Sequence, residues 1–191
     1  MTTHYIDIHL LPDPEFSHAH LLGALVAKLH RALVHLRMDA VGVSYPQHVV
    51  TPTQQRSLGS VVRLHGPSEV LEQLMALGWL QGMRDHTKAS ALASAPAGAP
   101  HRQVARRQFK TNAERLRRRR MQRKGETAAQ AAAHIPDSVE RRPNLPYVQL
   151  RSSSTAQPFC LFIDHGPLQA QAVSGSFNTY GLSNSATIPW F

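Results

Sequence analysis

The chain has 191 residues, enough for one large domain or two small ones, and a formal net charge of +9. Its one cysteine, Cys160, excludes an intrachain disulfide and a cysteine metal cluster. No apolar run approaches the ~20 residues that span a bilayer, and the opening MTTHYIDIHL does not read as a signal peptide, so a cytoplasmic protein without a membrane partner is expected.

HYIDIHL, residues 4–10, alternates Ile6, Ile8 and Leu10 against Tyr5, Asp7 and His9, which predicts a half-buried strand. After a proline-broken loop, Ser17 can cap a helix whose Leu22, Leu25, Val26, Leu29, Leu33 and Leu36 recur at helical spacing. Residues 40–46 and 60–66 read as short strands, with polar loop between them. Pro67 and Ser68 open a second helix carrying Val70, Leu71, Leu74 and Met75, and a fourth strand is expected over 79–87. The order β-α-β-β-α-β predicts a ferredoxin-like domain at 1–94, two helices covering one face of an antiparallel sheet. ASALASAPAGAP, 89–100, is small, uncharged and proline-interrupted, and reads as a linker. Beyond it come a basic segment, an alanine-rich helix near 127–134, and strands at 146–151, 158–163 and 176–181, with IDHGPL and TYGLSNS read as turns. The fold class is therefore α+β, with 95–191 forming a second domain built around the basic segment.

That segment decides the class of partner. Between His101 and Lys124 stand eleven Lys/Arg and one acid, Glu114, while the remaining residues are close to neutral. A focused basic element on a neutral body points to a polyanion, nucleic acid first. Thr111 and Glu114 form a capping box, and Gly125 is a natural stop, so a helix is expected from about 112 to 124. Arg115, Arg118 and Arg119 share one face, and Arg123 continues it by a turn. Like charges side by side predict a frayed helix until an anion lines that face. Upstream, Arg102, Gln103, Arg106, Arg107 and Gln108 are interleaved, and Arg and Gln are the residue types that grip guanine and adenine with paired hydrogen bonds. Twelve histidines raise a metal reading, but His18 and His20 do not share a helix face and no H-E-x-x-H is present, so no metal and no cofactor is expected.

Several separated stretches together resemble one family: HYIDIHLLPDPEF, KLHRAL around His30, RQVARRQFKTNAERLRRR, LRSSSTAQPF, IDHGPLQ, TYGLS and the final PWF. They resemble the CRISPR-associated repeat endoribonuclease of type I-F systems, over nearly the whole chain. The resemblance implies metal-independent cutting of precursor CRISPR RNA at a repeat hairpin. The RNA's own 2′-hydroxyl attacks, leaving a 2′,3′-cyclic phosphate, and the enzyme keeps its crRNA hairpin and joins the other subunits of the surveillance complex. It further implies that His30 takes the 2′-hydroxyl proton, Ser152 orients that hydroxyl and Tyr180 holds the imidazole. Arg106 and Gln108 would read base edges, and Arg118, Arg119 and Arg123 would follow the stem phosphates. Phe159 would stack on the terminal base pair, and Ser154 and Thr155 would touch the nucleotides at the cut.

Beside that implication, the residues keep their own readings. His30 projects to the border of its helix's apolar stripe, as a boundary histidine does, although an imidazole also titrates near neutral pH and suits a base. Ser152 fits a polar turn, Tyr180 a strand end, and Phe159, alternating with Leu161 and Ile163, a strand core. Two departures stand out. Gln122 occupies a position that is basic in well-known family members, with Arg120 two places earlier pointing elsewhere, and Pro158 precedes Phe159. An A-form major groove is too narrow for side chains, so the reading requires a short stem. The competing hypothesis is a non-catalytic RNA-hairpin-binding module that uses the same arginine helix.

Overall fold

The computed structural model describes residues 2–51, 56–109, 113–139, 143–152 and 155–191. Its strands are β1 (His4–Leu10), β2 (Gly42–Ser44), β3 (Val49–Val50), β4 (Arg56–Ser57), β5 (Val61–Gly66), β6 (Thr87–Ala89), β7 (Ala93–Ser94), β8 (His101–Arg107), β9 (Tyr147–Arg151), β10 (Pro158–Gln169) and β11 (Ile188–Pro189). Its helices are α1 (His18–Leu36), α2 (Ser68–Ala76), α3 (Ala113–Lys124) and α4 (Ala128–His134). Among the described residues no helix is long and apolar enough to cross a membrane.

The chain divides into two compact units, 1–107 with 145–191, and 108–144. This division follows contacts in the folded chain, whereas the 1–94 and 95–191 division follows composition along the sequence.

In the larger unit, one sheet has the order β2-β5-β1-β6, and β7 also pairs with β1; every pairing is antiparallel. The alternation of β1 sends Ile6, Ile8 and Leu10 into the core. α1 starts where the Ser17 hydroxyl accepts the His20 amide. Its Leu25, Leu29 and Leu33 are fully buried, each contributing about 1.5–3 kcal/mol. A second antiparallel sheet runs β11-β8-β10-β9. Its Val148, Leu150, Leu161 and Ile163 share one apolar core with α1 and β1. α1 packs on β9 so closely that a Cβ on Gly23 would stand 2.7 Å from the Gln149 carbonyl oxygen.

Several segments differ from the sequence reading. Residues 79–86 are not a strand. A turn and the 3₁₀ segment Arg84–His86 bury Trp79 and Met83, and Gly78 and Gly82 at positive φ bend the chain there. The edge strand begins at Thr87. The 89–100 segment is not a free linker: β7 lies against β1, the Asp7 amide donates to the Ser90 hydroxyl, and the Ala95 amide donates to the Thr3 carbonyl. The polar loop after β2 contains the small β3–β4 ladder. The basic stretch at 101–107 is a strand, β8, because its Val104 and Ala105 are buried in the second sheet. β10 runs on through IDHGPL, where a register shift between His165 and Leu168 absorbs Pro167, which has no amide to donate. Residues 176–181 form a closed turn rather than a strand.

Candidate active site

His30 lies on α1, one position beyond buried Leu29 and half-buried itself. Its Nδ1 is 3.0 Å from the Thr179 carbonyl oxygen. A carbonyl can only accept, so Nδ1 carries the hydrogen, and in the neutral ring Nε2 keeps its lone pair. Tyr180 lies flat on the imidazole, with centroids 4.2 Å apart and planes 7° apart. The Arg106 guanidinium stands 5.9 Å from the Tyr180 ring and 5.8 Å from the Phe159 ring. Burial raises the Tyr180 phenol above its ordinary value, and the Arg106 cation opposes that rise. Its phenol is thus neutral at physiological pH, and the ring acts as a flat polar-tipped support. A histidine, a tyrosine, an arginine and a phenylalanine from α1, the 177–182 turn, β8 and β10 form one continuous row.

Ser152 directly follows β9. Its amide donates to the Gln157 carbonyl, its carbonyl accepts the Ala156 amide, and its hydroxyl accepts the Thr155 amide at 3.3 Å. Ala156 takes φ +53. Ser154 lies outside the described residues. Pro158 takes the first position of β10, opposite Arg151, where a missing amide is tolerated, and Phe159 pairs with Leu150.

Arg102 is placed elsewhere. Its Nε donates to the Gly166 carbonyl and its guanidinium lies 4.6 Å over the Trp190 ring. Beside it, His48 and His165 stack with centroids 3.7 Å apart. Burial, the neighbouring His48 and Arg102 push His165 down to about 3. Among the described residues no group of three or more His, Cys, Asp or Glu could hold a metal ion.

The smaller unit, which contains Gln108, sorts its arginines by helix face. On α3 the Arg117 guanidinium donates to the Ile135 carbonyl and to Asp137, and Arg120 grips Glu126 with two hydrogen bonds, 2.6 and 3.0 Å. Arg120 thereby holds the Glu126 carboxyl below its ordinary value. Ala113 is buried and Leu116 and Met121 are half-buried. Arg115, Arg118, Arg119 and Arg123 are exposed. Gly125, at φ +66, ends the helix with its amide on the Met121 carbonyl. Thr111, the expected cap, lies outside the described residues. α4 has a full capping box between Thr127 and Gln130.

A family model described as CRISPR-associated protein (Cas_Csy4) matches residues 5–191. The chain belongs to the Cas_Csy4 family. It is 47% identical over 188 residues to the "CRISPR-associated endonuclease Cas6/Csy4" of Pseudomonas aeruginosa (strain UCBPP-PA14), covering 98% of this chain and 99% of that protein. It is 42% identical, with the same coverage, to the protein of that name from Escherichia coli (strain UTI89 / UPEC). A solved structure described as "An RAMP protein binding different RNA substrates" is more distant, at 10% identity and TM-score 0.34 over 97% of this chain and 98% of that one.

In this Cas_Csy4 chain the partner of His30 that sequence reading missed is a backbone atom, the Thr179 carbonyl. No side-chain motif announces a carbonyl. The available signal was Asn178 and Gly181 in TYGLSNS and the residue before it, a turn pattern that brings two or three intervening residues to one side.

Proposed function

We propose that this protein is an endoribonuclease that cuts precursor CRISPR RNA at the repeat hairpin. His30 Nε2 takes the proton from the 2′-hydroxyl, and the 2′-oxygen attacks the adjacent phosphorus. The bond to the 5′-oxygen breaks, and that oxygen leaves as a hydroxyl after taking up a proton. A 2′,3′-cyclic phosphate remains. No step calls for a metal or another cofactor. The observation that carries this reading is the His30 Nδ1–Thr179 hydrogen bond, which leaves Nε2 as the basic nitrogen. Ser152 would orient the attacking hydroxyl, and Tyr180 would hold the imidazole plane. The membership in a family whose relatives are named as endonucleases supports the reaction class.

Recognition falls to the other half of the chain in this proposal. Arg115, Arg118, Arg119 and Arg123 would line the phosphates of a short stem, for which their exposure on one helix speaks. Arg106 and Gln108 would read base edges, Phe159 would stack on the terminal pair, and Ser154 and Thr155 would contact the cut. Arg102, held beside Trp190, would join them in binding the RNA. The strand order β2-β5-β1-β6 supports a ferredoxin-like assignment for 1–94 as the part that carries His30, with 95–191 as the RNA-binding part. The product hairpin would stay bound, and the protein would join the other subunits of a type I-F surveillance complex in the cytoplasm.

The test is cleavage of a repeat-hairpin RNA in EDTA, with and without a deoxy sugar 5′ of the cut. Cutting in EDTA that stops with the deoxy sugar is expected, as is its loss in His30→Ala. Cutting that needs magnesium, or survives the deoxy sugar, would sink internal attack. Tight binding without cutting would favour the non-catalytic module.

A further inference from the structure

We infer that Asn178 is a positioning residue that sets the tautomer and pose of His30 through the backbone of its own turn. The inference rests on the reading of His30 as the base.

Asn178 closes the turn from both its side chain and its main chain. Its Oδ1 accepts the Tyr180 amide at 2.8 Å and the Leu182 amide at 3.2 Å. Its amide donates to the Leu182 carbonyl, and its carbonyl accepts the Gly181 amide. The two residues held between both touch the imidazole: the Thr179 carbonyl takes Nδ1–H, and the Tyr180 ring covers the face. The turn is held at both ends, by the Phe177 amide on the carbonyl of Asp39 in the connection before β2 and by the amide of Val43 in β2 on the Gly181 carbonyl, each 2.7 Å. Gly181 sits at φ +71, and a Cβ there would overlap the Val43 side chain. With the ends held in this way, the conformation of 179–180 is set by the hydrogen bonds inside the turn, and Asn178 makes them.

Without Oδ1, water can satisfy the Tyr180 and Leu182 amides but cannot hold them at one spacing. The Thr179 carbonyl is then free to leave Nδ1. An imidazole without that acceptor can place its proton on Nε2, the atom that has to receive one. Such a proton turns a base into a donor without changing the RNA contacts, so cleavage falls while affinity holds.

The experiment uses the full-length protein, labelled with ¹⁵N, and two-bond ¹H–¹⁵N spectra of the His30 ring, together with single-turnover cleavage and hairpin affinity. In Asn178→Ala the Nδ1–H form should lose population and the cleavage rate should fall roughly ten- to a hundredfold. The hairpin Kd should stay within about twofold of the parent. Asn178→Asp, which keeps an acceptor oxygen at the same place, should restore both tautomer and rate. If the alanine variant does not fold, Asn178→Ser, with a shorter and weaker acceptor, is read on the same two scales and should fall between parent and loss. An unchanged tautomer in a folded alanine or serine variant overturns the inference, whatever the rate does. Wild-type cutting by His30→Ala would instead overturn the reading of His30 as base, and the ring spectra would still decide the role of Asn178.

Discussion

The His30 imidazole and the Tyr180 ring lie face to face, 4.2 Å apart, while the hydrogen bond to Thr179 leaves from the edge of the same imidazole. The stack fixes the ring plane, and the hydrogen bond fixes rotation within that plane. Together they aim Nε2 in one direction.

That arrangement separates the ring of Tyr180 from its hydroxyl. Tyr180→Phe keeps the flat contact and should retain most cleavage in a single-turnover assay. Tyr180→Ala removes the contact and should slow cleavage by roughly ten- to a hundredfold. Equal effects of the two substitutions would assign the role to the phenol instead.

The two faces of α3 predict two phenotypes. Arg118→Ala or Arg119→Ala should weaken hairpin binding and lower the salt slope of log Kd by about 1 for each lost phosphate contact. Arg120→Ala breaks the paired bonds to Glu126 and should lower the melting temperature of the free protein. A melting temperature unchanged in Arg120→Ala would show that the ion pair adds nothing to folding.

Gly23 is where α1 meets β9. A methyl group there would press on the Gln149 carbonyl, so Gly23→Ala should cost about 1–3 kcal/mol in urea unfolding. Because His30 is carried on the same helix, cleavage should fall as well, even at temperatures where the variant remains folded.

Acid should unfold this protein through its buried histidines. Burial pushes His65 and His165 down to about 3 from an ordinary value of 6.5. Between those values the unfolded chain binds protons that the folded chain refuses. Their contribution is therefore complete above pH 6.5 and is lost as the pH falls toward 3, at roughly 1.4 kcal/mol per pH unit per histidine. Urea midpoints measured downward from neutral pH should fall along that course, and His165→Gln, which takes up no proton, should flatten it.

The sequence reading succeeded where local periodicity sets the answer. The alternation of β1, the leucine spacing and Ser17 cap of α1, and the stop at Gly125 each depend on residues within a few positions. It failed where a segment's partner is distant. Trp79 and Met83 look like strand residues because they are apolar, but a turn with two left-handed glycines buries them equally well. Residues 89–100 look like a linker because nothing in them reveals the unpaired edge of β1 to which they are bound. At the site, the imidazole and its acceptor stand 149 residues apart. Their meeting is set by how the 177–182 turn is pinned to β2, which no local pattern encodes.

By itself, then, the sequence determined that this chain carries a short arginine-rich segment with far more charge than it can bury, because charge is local and additive. Only the tertiary structure decided which arginines are spent on Glu126, Asp137 and Ile135 and which are left facing water, and which nitrogen of His30 keeps its lone pair. The arginine outcomes depend on where the end of α3 and the residues after it meet, and the His30 outcome on a hydrogen bond to a segment 149 residues away.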